Sequence, residues 1–409
     1  MPSPAARLDR ATARWAVRPQ VVAQGGLIGA AVAIYGIVVI SAGLHQQDVG
    51  AYLQGARDLL TGHPLYGTFL QHPFPDPTLR PAYIYPPAFA LLIAPLALLP
   101  TSAASAVWMG VNQAALVLAV TLGVDRLRPT PWARAAIIAG TATFYPLWID
   151  VVQGQANLLI LVLVVGGLVG VLRDDDRWAA AWGVAAALKV SPALLLLWLL
   201  INRRWRAAGW MIGGGATVTA IGFLIRPHDT LAFFGQVLPA LAHGTAVYAN
   251  QSVSGVILRL TTLNPYTNPW VVLGSPAVVI ALISLLALAW WAWQTRCADP
   301  QLRLLAFLPL VSLLSAVTWP HHLVLLLPLL WGIFTVLGRA GWPLRQTATT
   351  AVVLLVFSVL PRWPAGPAFG APGFRSAQTT DPLVLLVANA LFLGTILLLM
   401  LSPWLLRSR

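Results

Sequence analysis

The chain has 409 residues, of which 58% are hydrophobic and 9% charged, with a mean hydropathy of +0.77 and a formal net charge of +13. So little charge cannot cover a soluble protein of this length, and apolar runs long enough for a hydrocarbon core recur from residue 26 onward. The composition therefore specifies an all-α, polytopic integral membrane protein and excludes a soluble domain of useful size. The basic residues stand in short clusters between apolar runs, which is the pattern of cytoplasmic loops and anionic lipid headgroups; no nucleic-acid partner is expected. Cys297 is the single cysteine, which excludes an intrachain disulfide and a cysteine metal cluster.

The first 25 residues carry Arg7, Arg10, Arg14 and Arg18 and read as a cytoplasmic N-terminus. The apolar run at 26–43 lacks a convincing small-residue cleavage site, so it is expected to be a retained first span. Residues 26–406 then form one membrane domain, with the longest polar interval, 44–82, as an outer loop. Further apolar segments fall at 83–99, 104–124, 135–148, 158–172, 178–188, 190–201, 208–225, 270–293, 302–317, 323–337, 347–360 and 382–406, about 11–13 membrane segments in all. No internal repeat is visible, which argues against inverted-repeat transporters. Clusters such as Arg126, Arg128 and Arg134, or Arg203, Arg204 and Arg206, read as cytoplasmic, as do Arg339 with Arg345. The loops between them, where nearly every unusual polar residue falls, then face outward. Segment 83–99 and the two segments flanking Lys189 are short for about 30 Å of hydrocarbon, and are expected to be re-entrant or broken helices beside a cavity.

The outer loop opens with Asp48-Val49-Gly50-Ala51-Tyr52, and a helix is expected over 49–60, ended by Gly62 and Pro64. Asp48 has two readings, a helix N-cap or a carboxylate placed to take a proton from an incoming hydroxyl. Asp58, beside Arg57, is either a solvated charge or the reserve base. Tyr83 and Tyr85 precede Pro86-Pro87; they are either interfacial belt aromatics or walls of a sugar pocket. Gln155 and Asn157 bring carboxamides to membrane depth, for helix–helix bonds or for sugar hydroxyls. Lys189 is a lone cation in an apolar stretch and calls for a buried anion such as a lipid phosphate, unless it snorkels to the interface. Asn250, Gln251 and Arg259 again join amides to a cation, either as a site or as a polar loop with an interfacial arginine. His321 and His322 have no Asp, Glu or Cys nearby in sequence, so hydrogen bonding to a phosphate or sugar is favoured over zinc.

The order of these motifs resembles the family 87 glycosyltransferases, polytopic GT-C-type enzymes of actinobacteria. It runs Asp48-Val49-Gly50-Ala51-Tyr52, Thr61-Gly62-His63-Pro64-Leu65-Tyr66, Tyr85-Pro86-Pro87, Gly154-Gln155 with Asn157, Leu188-Lys189-Val190-Ser191-Pro192, Asn250-Gln251-Ser252 and Trp319-Pro320-His321-His322. The resemblance implies a GT-C-type fold and an α-mannosyltransferase acting at the outer face of the plasma membrane. Its donor would be polyprenyl-phosphate-mannose and its acceptor a phosphatidylinositol mannoside, extended by an α-1,2 linkage. A β-linked donor and an α-linked product imply inversion. The resemblance further implies an aspartate base in the first outer loop, matched best by Asp48. Lys189, Arg259, His321 and His322 would then bind the donor phosphate. Tyr52, Tyr83, Tyr85, Gln155, Asn157, Asn250 and Gln251 would bind sugar and acceptor. The loop has no Asp-Asp or Asp-Glu pair, so no metal cofactor is expected. The alternatives are a paralogue that branches lipomannan or lipoarabinomannan, and a lipid-linked sugar transporter.

Overall fold

The computed structural model describes residues 19–43, 46–71, 82–358 and 386–407, and among them the fold is helical throughout. The N-terminal arginines, residues 72–81 of the first polar interval and the expected outer loop at 361–381 lie outside the described residues.

In chain order the main helices are α1 (Pro19–Ala42), α2 (Gln47–Thr61), α3 (Pro87–Ala97), α4 (Thr101–Leu127), α5 (Pro131–Ala142) and α6 (Tyr145–Gln153). They continue as α7 (Asn157–Val171), α8 (Ala179–Leu188), α9 (Leu195–Ile201), α10 (Trp205–Ile225), α11 (Val253–Thr261) and α12 (Pro276–Gln294). The last are α13 (Pro300–Leu305), α14 (Leu308–Leu313), α15 (Leu327–Arg339), α16 (Leu344–Ser358) and α17 (Ala390–Leu405). Each apolar segment read from the sequence meets helix. Among the described residues five helices are long and apolar enough to cross a membrane, or six if the bent pair α5–α6 is one span. Six further apolar helices are shorter. The chain is thus a multi-pass membrane protein.

The centre of the bundle is the stretch Pro320–Arg339, a 3-10 turn running into α15, which is 89% buried. The lipid-facing periphery includes α1 and α12, each 6% buried. Apolar side chains need no polar partner in hydrocarbon, so outer helices can expose them freely.

The arginine clusters converge at one end of the bundle. Arg339 at the end of α15 donates to the carbonyl of Leu127 at the end of α4, at 2.5 Å. Arg204 reaches the carbonyl of Val171 at the end of α7 and the carboxylate of Asp176, at 3.2 and 2.9 Å. Cationic side chains here satisfy the unpaired last carbonyls of helices and complement their dipoles. The opposite ends of α8 and α9, at Leu188 and Leu194, line the cavity described next.

Candidate active site

A cavity of about 460 Å³ opens among the start of α2, Tyr85, Gln155, Lys189 and the 3-10 turn at Pro320. This lies within the range of roughly 300–1,000 Å³ for small-molecule sites. Its wall is mostly apolar, with Phe233, Leu238 and Leu241 on one side, while Asp48, Gln155, Lys189, Trp319, His321 and His322 bring the polar groups.

Local sequence explains how these groups meet. Helix α2 starts at Gln47, preceded by Gln46 as an N-cap that makes no side-chain cap bond. Asp48 is therefore the second helical residue and caps nothing; its carboxylate accepts instead from Gln155 Nε2. Gln155 is delivered by the turn at Gly154, whose φ of 70° ends α6 in the left-handed region. A Cβ at Gly154 would stand 2.6 Å from Gln46 and Val49, so only glycine lets this turn approach α2. Trp108 Nε1 donates to the Gly154 carbonyl at 2.8 Å and locks the turn.

A carboxylate only accepts, so Asp48 forces the amide nitrogen of Gln155 toward itself and leaves Oε1 for other donors. Tyr52 and Tyr85 donate to that oxygen at 3.0 and 3.3 Å. The backbone breaks at Lys189, which is extended (φ −150°, ψ 119°) between α8 and the 3-10 turn Ser191–Leu194. This is the broken helix expected there. The Lys189 ammonium donates to Asn157 Oδ1 at 2.7 Å and to Tyr85 Oη at 3.4 Å. Asn157 Nδ2 donates in turn to Asp150 Oδ1 at 2.7 Å. One hydrogen-bonded chain thus runs from Asp48 through Gln155, Tyr85, Lys189 and Asn157 to Asp150.

The α2 helix lies outside the apolar spans. Burial pushes the Asp48 carboxyl up to about 6, against the opposing pull of the Gln155 hydrogen bond and the Lys189 charge. Across the cavity the His321 and His322 rings meet edge-to-face, centroids 4.7 Å apart, and the Nδ1 of each is buried without a hydrogen-bond partner. Among the described residues no three His, Cys, Asp or Glu side chains gather into a metal-ligand set.

Residues 83–320 match the family model for Glycosyltransferase family 87, which is more than half of the chain. The chain belongs to glycosyltransferase family 87. A Mycobacterium tuberculosis protein named polyprenol-phosphate-mannose-dependent alpha-(1-2)-phosphatidylinositol mannoside mannosyltransferase is 29% identical over 337 residues, 77% of this chain and 75% of its own length. A Mycolicibacterium smegmatis protein of the same name is 27% identical over 349 residues, covering 75% and 76%. An alpha-(1->3)-arabinofuranosyltransferase of Mycobacterium tuberculosis is 31% identical over 183 residues, covering 43% and 41%. The family match begins after Asp48 and ends just before His321.

For this family 87 glycosyltransferase, the structure gathers some of the sequence candidates and separates others. Asp48, Tyr52, Tyr85, Gln155, Lys189, His321 and His322 line the cavity. Tyr83 and Asn157 stand behind its wall. Tyr83 donates to the Pro86 carbonyl at 2.8 Å and packs so tightly on Gly55 that a Cβ there would overlap its ring. Asp58 lies farther along α2, partly exposed, accepting from Gln54 at 2.9 Å, and does not reach the cavity.

The cluster at Arg259 lies elsewhere. Arg259 is 1% exposed, and its guanidinium donates to the carbonyls of Val247 and Asn250 and to Asn389 Oδ1, at 2.7, 2.9 and 2.6 Å. Asn250 joins the carbonyls of Thr245 and Ala316, and Gln251 those of Tyr248 and Ala388. These groups pin an irregular backbone and line no part of the cavity, so the structure does not bring them together with Asp48 and Lys189. Two participants were not anticipated as site residues. Asp150 ends the polar chain, and Phe233 sits in a π-helical turn (Phe233–Val237) inside an interval that reads as loop.

Proposed function

We propose that this chain is an inverting α-1,2-mannosyltransferase, taking mannose from polyprenyl-phosphate-mannose and adding it to a phosphatidylinositol mannoside. The names of the two mannosyltransferase relatives support the donor and acceptor. The observation that carries the reading is the pairing of Asp48 with Lys189 on one cavity, a proton acceptor and a cation joined through Gln155 and Tyr85.

In this reading the acceptor hydroxyl attacks the anomeric carbon opposite the leaving phosphate. The bond from that carbon to the phosphate oxygen breaks, its electron pair stays on polyprenyl phosphate, and the hydroxyl proton passes to Asp48. Negative charge growing on the phosphate is met by Lys189 and by the His321 and His322 rings, fixed donors in a water-poor site. No metal ion is required. The apolar wall at Phe233, Leu238 and Leu241 accepts the lipid portion of a substrate. The cavity faces outward in this reading, since Arg203 and Arg204 follow the far end of α9, whose near end at Leu194 lines the cavity.

The test uses purified protein in right-side-out vesicles, with donor added outside and EDTA present. The expected product is the acceptor plus one hexose, released by an α-1,2-mannosidase. A polyprenyl-phosphate-arabinose control is included because one relative is named an arabinofuranosyltransferase. Transfer of arabinose alone would overturn the donor assignment, and loss of activity in EDTA would overturn metal independence.

A further inference from the structure

Two carboxylates bracket the polar chain, and only one of them faces the cavity. Asp150 is 1% exposed on α6, and among the described residues no lysine or arginine pairs with it directly. Its Oδ1 accepts from Asn157 Nδ2 at 2.7 Å, and Asn157 Oδ1 accepts from Lys189 Nζ at 2.7 Å. A carboxamide presents a donor on one side and an acceptor on the other, so whichever neighbour is acceptor-only sets its direction. Asp150 on one side and the donor-only Lys189 ammonium on the other both fix it here, and the bond to Asp150 anchors Asn157 against Lys189 at the cavity wall.

The same device appears at Asp48, which turns Gln155 so that its oxygen receives the two tyrosine hydroxyls. Tyr85 then links the two devices, within 3.4 Å of Lys189 and 3.3 Å of Gln155. A buried ammonium with a single wrong partner swings toward whatever acceptor it can find, because leaving it unpaired is costly. Among the described residues only Asn157 and Tyr85 accept from Lys189, so how firmly Asn157 is held decides how well the charge is placed.

We propose that Asp150 is a positioning residue for the donor phosphate, acting through Asn157 to aim the Lys189 ammonium into the cavity. This rests on the reading of Lys189 as the donor-phosphate group. With Asp150→Asn, the Asn157 amide nitrogen keeps only a neutral acceptor, so Asn157 is anchored less firmly against the Lys189 ammonium. Donor kcat/KM is expected to fall about 10-fold, in line with losing one hydrogen bond to a charged group. Acceptor KM stays unchanged, which a general packing defect would not allow.

The decisive variant exchanges the pair, Asp150→Asn with Asn157→Asp. The carboxylate then stands one place nearer to Lys189, the new amide donates to it, and the total charge is kept. Donor kcat/KM is expected to return to within about 3-fold of the parent. Should Asp150→Asn not be recovered folded, Asn157→Leu removes the same bridge and is expected to give the same donor-specific loss. Lys189→Ala is assayed alongside. If it lowers donor kcat/KM while Asp150→Asn and Asn157→Leu leave it unchanged, or the exchange restores nothing, Asp150 has no positioning role. If Lys189→Ala itself leaves donor kinetics unchanged, the phosphate reading fails and this inference fails with it.

Discussion

Two regions of this protein have the same chemical inventory, a pair of carboxamides and one cation. Gln155, Asn157 and Lys189 form one; Asn250, Gln251 and Arg259 form the other. In the first, acceptor-only carboxylates at Asp48 and Asp150 orient the amides, and the cation ends at a cavity wall. In the second, among the described residues, no carboxylate takes part in the bonds to these three side chains, and main-chain carbonyls with Asn389 Oδ1 take up the donors. The difference follows from geometry. Arginine has several donors in a rigid fork and can close on carbonyls from all sides, whereas a lysine ammonium on a flexible stem can be left pointing at a ligand. A polar cluster in a membrane protein is thus a site only when its partners leave something unspent.

The largest effect expected from this contrast is at Asp48. Asp48→Asn keeps the shape of the side chain and removes the base, so transfer falls by about 10²–10⁴ while the protein still binds donor. Lys189→Ala follows, with a loss of roughly 3–4 kcal/mol in donor kcat/KM, about 10²–10³-fold. Arg259→Ala sharpens the comparison from the other side. It leaves buried carbonyls unpaired and lowers the melting temperature, yet donor kcat/KM of the folded protein stays within about 2-fold. A donor-specific loss at Arg259 with unchanged stability would erase the distinction between the two regions.

The pH dependence is a smaller effect with a fixed sign. As the proposed base, Asp48 would act only when ionised, so kcat/KM is expected to fall as pH drops through about 6, with this limb absent in Asp48→Asn. The same raised value means the folded state holds that proton more firmly than the unfolded chain. Stability from Asp48 is fully present below the unfolded value of 3.8 and is lost as pH rises through about 6. Asp48→Asn should therefore melt higher than the parent at pH 8 and no higher at pH 3, measured in the same detergent.

Much of the architecture was legible before any coordinates, because hydrocarbon thickness imposes its length on the chain. The apolar runs and the break at Lys189 follow from that single constraint. Lys189 itself stood out because a cation in an apolar run has few cheap partners. Asp48 drew notice for its place beyond the first span; the structure puts it on the cavity and not at a helix cap. What stayed hidden depends on neighbours far along the chain. Gln155 and Asn157 are two residues apart, yet one reaches the cavity and the other faces Lys189 from behind it. The apolar wall at Phe233 and helix α11 lay within a stretch whose composition reads as an outer loop. Arg259 looks interfacial in sequence and is enclosed in the fold by the carbonyls of Val247 and Asn250 and by Asn389, 130 residues away.

The most direct test compares the two carboxylates of helix α2 in one assay, with polyprenyl-phosphate-mannose and a mannosylated phosphatidylinositol as substrates. Asp48→Asn is expected to form no detectable hexose-extended product at enzyme levels where Asp58→Asn matches the parent within about 2-fold. An active Asp48→Asn beside an inactive Asp58→Asn would contradict the account at its centre.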